Sequence, residues 1–290
     1  MCKNQLIGIR SFFACLAAVL VVGSLGCGKL ESGANSVVTV KYLADASAEP
    51  EATTTAETAP ADSGTPEAGG FGNLRGRVVY DGTFAALPNK FEKGGATKDP
   101  SVCGAEAIPD ESILVKDGGL ANVFVFLEKA PKGAKSPDAA ADVIFDQKVC
   151  IFLPHAMILR TNQTVKVLND DAAAHNTHTY PKKNAQFNSV VQPNDRTGVP
   201  LVYKESEKEP FSVGCDIHPW MQAYHLPLNH GFAAVSKDDG TFEIKDLPAG
   251  KHEFKVWHEV GGFLEKSLAV TVKPGDNEFT ITVSPSKLTR

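Results

Sequence analysis

From Gly72 onward the chain repeats one pattern: short runs of β-branched and aromatic residues, each bounded by Gly, Pro, Asn or Asp. Arg77–Tyr80, Val123–Leu127 and Thr164–Leu168 are early examples, followed by Thr241–Ile244, Phe254–Trp257 and Phe279–Val283. Many of these runs alternate apolar and polar positions, which places one face of a strand in a core and the other in water. No segment sustains the 3.6-residue period of an amphipathic helix. The pattern predicts an all-β body made of one or two β-sandwiches. Asp-Gly-Thr-Phe occurs twice, at 81–84 and 239–242. It reads as shared turn-then-strand chemistry and not as a duplication.

The first 72 residues follow a different rule. Lys3 and Arg10 precede an apolar, small-residue stretch from Ser11 to Gly26, and no acid occurs before Glu31. This is the charge and length pattern of an export signal. Its end, Ser24-Leu25-Gly26-Cys27, resembles a bacterial lipobox, although Ser24 replaces the usual aliphatic residue. The resemblance implies a signal over 1–27 with a lipidated Cys27, and an exported protein anchored to a membrane facing the periplasm or cell surface. Ordinary cleavage and a soluble secreted protein is the alternative. Ala44–Gly70 consists of Ala, Thr, Glu, Pro, Ser, Asp and Gly with no aromatic residue, so 28–72 reads as a disordered acidic tether. Val37–Val40 has strand-like residues but no neighbour to pair with, and stays within the tether.

Charge narrows the function. Across 290 residues, 29 Lys and Arg stand against 34 Asp and Glu, a net charge of −5. Loss of Lys3 and Arg10 with a cleaved signal leaves 27 against 34. Nucleic-acid binding needs the opposite balance and is not expected. Of six cysteines, Cys2 and Cys15 leave with the signal and Cys27 is assigned to the lipid. In an oxidising compartment the remaining three demand an explanation. The simplest is a Cys103–Cys150 disulfide with Cys215 held back for chemistry. Three buried thiols is the other.

Around Cys215 the chain reads Gly214-Cys215-Asp216-Ile217-His218-Pro219-Trp220-Met221, a Cys-x2-His-x2-Met loop. Upstream, Asn169-Asp170-Asp171 leads through three alanines to His175-Asn176. Two imidazoles, a thiolate and a thioether form a soft donor set. Two His and one Cys with a weak axial Met suit copper in electron transfer. The loop lets three ligands reach one ion while His175 comes from a neighbouring strand. A metal-free relic with buried Cys and Met is the bland alternative.

These residues resemble the cupredoxins, the type 1 blue-copper proteins, and the short ligand loop is most similar to the amicyanin kind. Phe152-Leu153-Pro154, Ile158 and Thr164–Val167 look like the family's opening strands. Asn169, His175 and Asn176 match its first-ligand strand. The resemblance covers about residues 140–230. It implies one type 1 copper ion held equatorially by His175, Cys215 and His218 and axially by Met221. It implies that Asn176 stiffens the Cys loop by hydrogen bonds and that Pro219 removes a donor and shields the site. Trp220 would pack beside the metal, meet a partner, or simply fill the core. Electrons would pass through the His218 edge. The segment Pro181–Glu209 is longer and more charged than in compact members, which bears on access. His155, His178, His225, His230, His252 and His258 are read as non-ligands, with His178 facing away from His175.

Residues 238–283, with their Leu247-Pro248-Ala249-Gly250 turn, resemble a carboxypeptidase regulatory-like (transthyretin-like) sandwich. Its opening strands fit Gly76–Val79 and Asn122–Val125 far upstream. The expected order is therefore 73–135 as its first part, 136–229 as an inserted cupredoxin Greek-key β-sandwich, and 230–290 as its second part. A plain tandem order is the runner-up. The function this implies is a membrane-tethered copper protein passing single electrons to an extracytoplasmic redox protein, a carrier and not an enzyme. Copper delivery, or a non-redox surface interaction module with a structural cupredoxin fold, are the alternatives. Neither a paired His-x-His copper motif nor a hydrolase motif occurs.

Overall fold

The computed structural model describes residues 69–140 and 143–289. The signal, Cys27 and all but the last four residues of the expected tether lie outside them. The described chain is all-β. Its first strands are β1 (Phe71–Tyr80), β2 (Val115–Lys116), β3 (Gly119–Leu120) and β4 (Phe124–Leu127). Nine follow: β5 (Val143–Lys148), β6 (Ile151–Leu153), β7 (Ala156–Arg160), β8 (Thr164–Val167), β9 (His175–Thr179), β10 (Asn188–Val191), β11 (Val199–Val202), β12 (Phe211–Gly214) and β13 (Gln222–Leu228). The last five are β14 (Ala233–Val235), β15 (Thr241–Pro248), β16 (Gly250–His258), β17 (Gly262–Val272) and β18 (Gly275–Val283).

Strands β5–β13 form one sandwich by themselves. One of its sheets runs β10-β9-β12-β13-β7 and the other β11-β8-β5-β6. The strands before and after them interleave in a second sandwich. There β15-β1-β3-β2 with β18 beside β1 faces β14-β4-β16-β17. Strand β1 pairs with β18 in parallel from Gly72 to Tyr80 and with β15 antiparallel, so the two ends of the described chain close one sheet. The chain thus leaves this sandwich after β4, builds β5–β13, and returns at β14.

The short apolar run at 123–127 shows why both sandwiches are needed. Val123, Val125 and Leu127 enter the core of the interleaved sandwich. Phe124 and Phe126 point the other way and meet Ala156, Leu226, Leu228 and Trp257. Successive side chains on a strand alternate faces, so a strand with no polar position must be covered on both. The outer face of β13 and β7 supplies the second cover.

Beside this apolar layer lies a buried charge cluster. His155, in the turn between β6 and β7, has Nε2 against the Glu259 carboxylate and Nδ1 3.5 Å from Glu111. Burial would push the imidazole down, but the two carboxylates outweigh it and raise His155 to about 9. Nearby His258 is pushed down to about 4 by burial and by His155 itself.

Three sequence expectations need correction. The tether does not extend to 72, because Phe71 and Gly72 already belong to β1. A Cβ at Gly72 would meet the Lys273 carbonyl at 2.2 Å, so only glycine lets the strands approach there. The segment around 91–108, counted with the interleaved sandwich, packs instead into the core of the other one through Ala96, Cys103 and Ile108. Finally, the two Asp-Gly-Thr-Phe stretches differ. At 239–242 the Asp239 carboxylate accepts from the Thr241 N–H and hydroxyl and β15 follows. At 81–84 the chain leaves β1 and no strand follows.

The His155 cluster gives a pH signature. Its folded pKa lies above the ordinary value near 6.5, so its stabilisation is complete below about pH 6.5 and is lost as pH rises through 9. Glu259→Gln should cost about 1–3 kcal/mol at pH 6 and much less at pH 10. Urea unfolding of both proteins at the two pH values checks this.

Candidate metal centre

Strand β9 and the loop between β12 and β13 bring the candidate ligands together. In β9, His175 faces the core while Asn176 lies on the opposite face, as alternation requires. Strand β12 pairs with β9 and ends at Gly214, opposite His178, so the chain continues at Cys215 along β9 in the direction of His175. The loop then turns tightly: the Met221 N–H donates to the His218 carbonyl at 2.9 Å, and the His218 N–H donates to Cys215 Sγ at 3.4 Å. His175, Cys215, His218 and Met221 are all buried. One ligand atom from each of His175, Cys215 and His218 lies within 4.8 Å of the other two.

The orientation of the imidazoles is what suits this cluster to a metal ion. His175 Nε2 lies 2.9 Å from Asp171 Oδ2, and His218 Nε2 lies 2.8 Å from Asp99 Oδ2. A carboxylate only accepts, so each Nε2 carries the proton and each Nδ1 is left with its lone pair. Those two Nδ1 atoms face each other at 2.9 Å. Two lone pairs at that distance repel unless a proton or a cation lies between them. Burial would lower the His175 pKa, but Asp171 and Cys215 raise it to about 9. Burial likewise pushes the Cys215 thiol up. Interactions with the His175 and His218 rings and with the backbone N–H groups of Asn176 and His218 outweigh it and bring the thiol down to about 6. The donor set therefore fits a soft metal ion: a thiolate and two bare imidazole nitrogens in a dry pocket.

Asn176 ties the loop down. Its Oδ1 accepts from the Asp216 N–H at 2.7 Å and the Ile217 N–H at 3.3 Å, and its Nδ2 donates to Asp216 Oδ2 at 2.8 Å. Trp220 lies beside the site, its ring 5.1 Å from that of His218 and its indole N–H donating to the Cys150 carbonyl. Pro219 is exposed and does not cover the ligands.

Cover comes from a segment whose role the sequence does not announce. Cys103 is disulfide-bonded to Cys150, which holds residues near 91–108 across the loop. Phe91 meets Trp220 edge to face at 5.0 Å, and the Lys90 ammonium donates to the Trp220 carbonyl. Asp99 sits just before a single helical turn, α1 (Pro100–Cys103), with a left-handed backbone (φ 44°). Its carboxylate caps no helix N–H and turns instead to His218. On the other side, Val149 and Cys150 (φ 50° and 55°) both direct their N–H groups at Asp171, at 2.6 and 2.8 Å. Left-handed backbone at non-glycine residues is costly and persists where surrounding contacts impose it.

The structure brings His175, Cys215 and His218 together, with Asn176 and Trp220 in contact with the loop and Met221 buried in the same core. It corrects the expected open edge: His218 is fully buried, because Asp99 and the 91–108 segment lie over it. The long 181–209 connection is not what closes the site; it is organised around buried Glu207, which accepts from the Lys183 and Asn184 N–H groups. The two carboxylates that orient the imidazoles were missed. Asp171, four residues before His175, was legible as a helper by its proximity. Asp99 stands 119 residues from His218 and left no local signal. His155, His178, His225, His230, His252 and His258 lie outside the metal-capable groups found among the described residues.

No family model and no curated protein matches the chain. Solved structures do. Amicyanin from Paracoccus versutus is 16% identical, covering 37% of this chain and 99% of its own, with a TM-score of 0.27. A purple cupredoxin from Nitrosopumilus maritimus is 20% identical, covering 31% and 100%, with a TM-score of 0.25. The copper-containing nitrite reductase of Thermus scotoductus is 16% identical, covering 33% and 24%, with a TM-score of 0.28. These neighbours are all cupredoxins by name or copper proteins, and the nitrite reductase is an enzyme.

Metal binding must displace a proton from His175. Between pH 6 and 9, affinity should rise about tenfold per pH unit, and below pH 6 more steeply because the thiol must also ionise. Competition titrations with copper or cobalt(II) across this range would reveal a flat profile if the proton were not there.

Proposed function

We propose that the protein is a copper carrier of single electrons with a type 1 centre, held by His175, Cys215 and His218 with Met221 as the weak axial ligand. The observation that carries this reading is the pair of Nδ1 lone pairs converging at 2.9 Å beside the Cys215 sulfur, each fixed from behind by a carboxylate. When bound, copper supplies a one-electron couple. The chain supplies a rigid donor set that suits both oxidation states, so little rearrangement accompanies a change of charge. Asp171 and Asp99 raise the basicity of the imidazoles and favour the higher charge. Burial of the whole set favours a carrier over a delivery protein, since handing the ion on would require His218 to be uncovered.

In the same reading the protein is exported and lipid-anchored at Cys27, with 28–70 as a spacer, and it exchanges electrons with another extracytoplasmic redox protein. The interleaved sandwich, read as a carboxypeptidase regulatory-like domain, acts as scaffold.

Copper-loaded protein should show an intense thiolate-to-copper absorption band that bleaches with ascorbate, and the matching EPR signal. Cys215→Ala should abolish the band and tight binding. Met221→Leu should keep copper and shift its potential. A colourless protein with stoichiometric copper would replace this reading by storage or delivery. Asp99→Asn keeps an acceptor for His218 but removes the charge. It should retain the band and raise the potential, a tenfold change in relative affinity for the two oxidation states being about 59 mV for one electron. Voltammetry of both proteins measures it.

A further inference from the structure

The disulfide lies against the same two imidazoles as the Cys215 thiol. We infer that Cys103 and Cys150, when reduced, form a second soft-metal site with His218, completed by His175 and Asp171. This goes beyond the copper reading above and holds whichever ion occupies the Cys215 set.

The geometry carries the inference. One ligand atom from each of Cys103, Cys150 and His218 lies within 4.8 Å of the other two, and the same holds for Cys150, Asp171 and His175. Cys150 belongs to both groups, so two imidazoles, a carboxylate and a second sulfur surround its own sulfur. Cys103, Cys150, His175 and His218 are fully buried, and Asp171 is nearly so. Contacts other than the S–S bond also hold these donors in place. Cys150 and Val149 both donate their N–H groups to Asp171, and the Trp220 indole donates to the Cys150 carbonyl. Cys103 ends the helical turn that follows Asp99, and it packs with Ala96 and Ile108 into the core of the inserted sandwich. Breaking the disulfide therefore leaves two thiols beside the imidazoles.

The chemistry balances. A disulfide is no thiolate donor, since the thiolate is the form that binds metal. A dithiol reductant supplies two electrons and two protons: the S–S bond breaks, two thiols form, and the reductant becomes a disulfide. Each thiol then releases its proton to solvent as a sulfur–metal bond forms. Two thiolates with imidazole are the donors of tetrahedral d10 ions, zinc(II) and copper(I). A chain not yet oxidised at this pair thus holds a soft ion beside the Cys215 set. Closing the disulfide leaves the imidazoles to Cys215 alone.

The test uses the full chain carrying Cys215→Ala, which removes the thiol of the first set. Cobalt(II) is the probe, because its thiolate charge-transfer band reports sulfur ligands. With the disulfide intact no such band should appear. After reduction by a phosphine without oxygen, with both thiols counted, one cobalt per chain should bind with the band of two thiolates, and zinc(II) should displace it. Adding His218→Ala should weaken this binding by about tenfold or more. If reduction loosens the fold, one equivalent of metal should restore the near-ultraviolet circular dichroism, because binding and folding are then coupled. A reduced chain, folded or not, that gives no thiolate band overturns the inference, and so does a band indifferent to His218→Ala. The copper band of the parent protein with its disulfide intact tests the copper reading separately, and its absence would leave the cobalt result standing.

Discussion

The constraint on which the site depends is a pair of hydrogen bonds made away from it. Each imidazole has two nitrogens, and which one carries the proton decides whether the other can bind a metal. Asp171 and Asp99 settle that for His175 and His218 by accepting from Nε2. Everything else follows from pointing two lone pairs at one spot beside a sulfur. The spot is cation-seeking, the thiol ionises readily, and the protein must hold the two carboxylates still although they belong to distant parts of the chain.

The disulfide answers that last need. Cys103 ends the helical turn that Asp99 begins, so one sulfur is tied to the holder of His218. Cys150 donates its N–H to Asp171, so the other sulfur is tied to the holder of His175. Cys103–Cys150 therefore joins the two supports behind the two ligands, across 47 residues of sequence. A link of that length also restricts the unfolded chain. The left-handed backbone at Asp99, Val149 and Cys150 falls at the same three supporting positions, where an unfavourable conformation is held because contacts on both sides fix it.

Strand-forming runs, the ligand loop and the first-ligand strand were legible because their signals are local: alternation shows in four or five residues, and three of four ligands fall within seven. The Asn176 contacts were legible through the family resemblance, which fixes the residue next to the first His. The cover over His218 was not. Residues 91–108 lack alternation and helical period, and their apolar members, Ala96, Cys103 and Ile108, are too sparse to say which core they join. Asp99 is one aspartate among many in sequence, and only the fold shows its side chain turned to His218. The run 123–127 was legible as a strand, but its burial on both faces emerges only from the fold.

Interleaving the two sandwiches is what makes the closed site possible. A free-standing β5–β13 sandwich would present its ligand loop to solvent at one end. Here the chain runs from β1 to β2 before the insertion begins, and that connection is the segment that crosses the loop. Strand β4, before the insertion, and β16, after it, together cover half of the outer sheet face through Phe124, Phe126 and Trp257. Insertion therefore removes two of the surfaces by which such a sandwich could be approached and leaves the β9–β10 half in water.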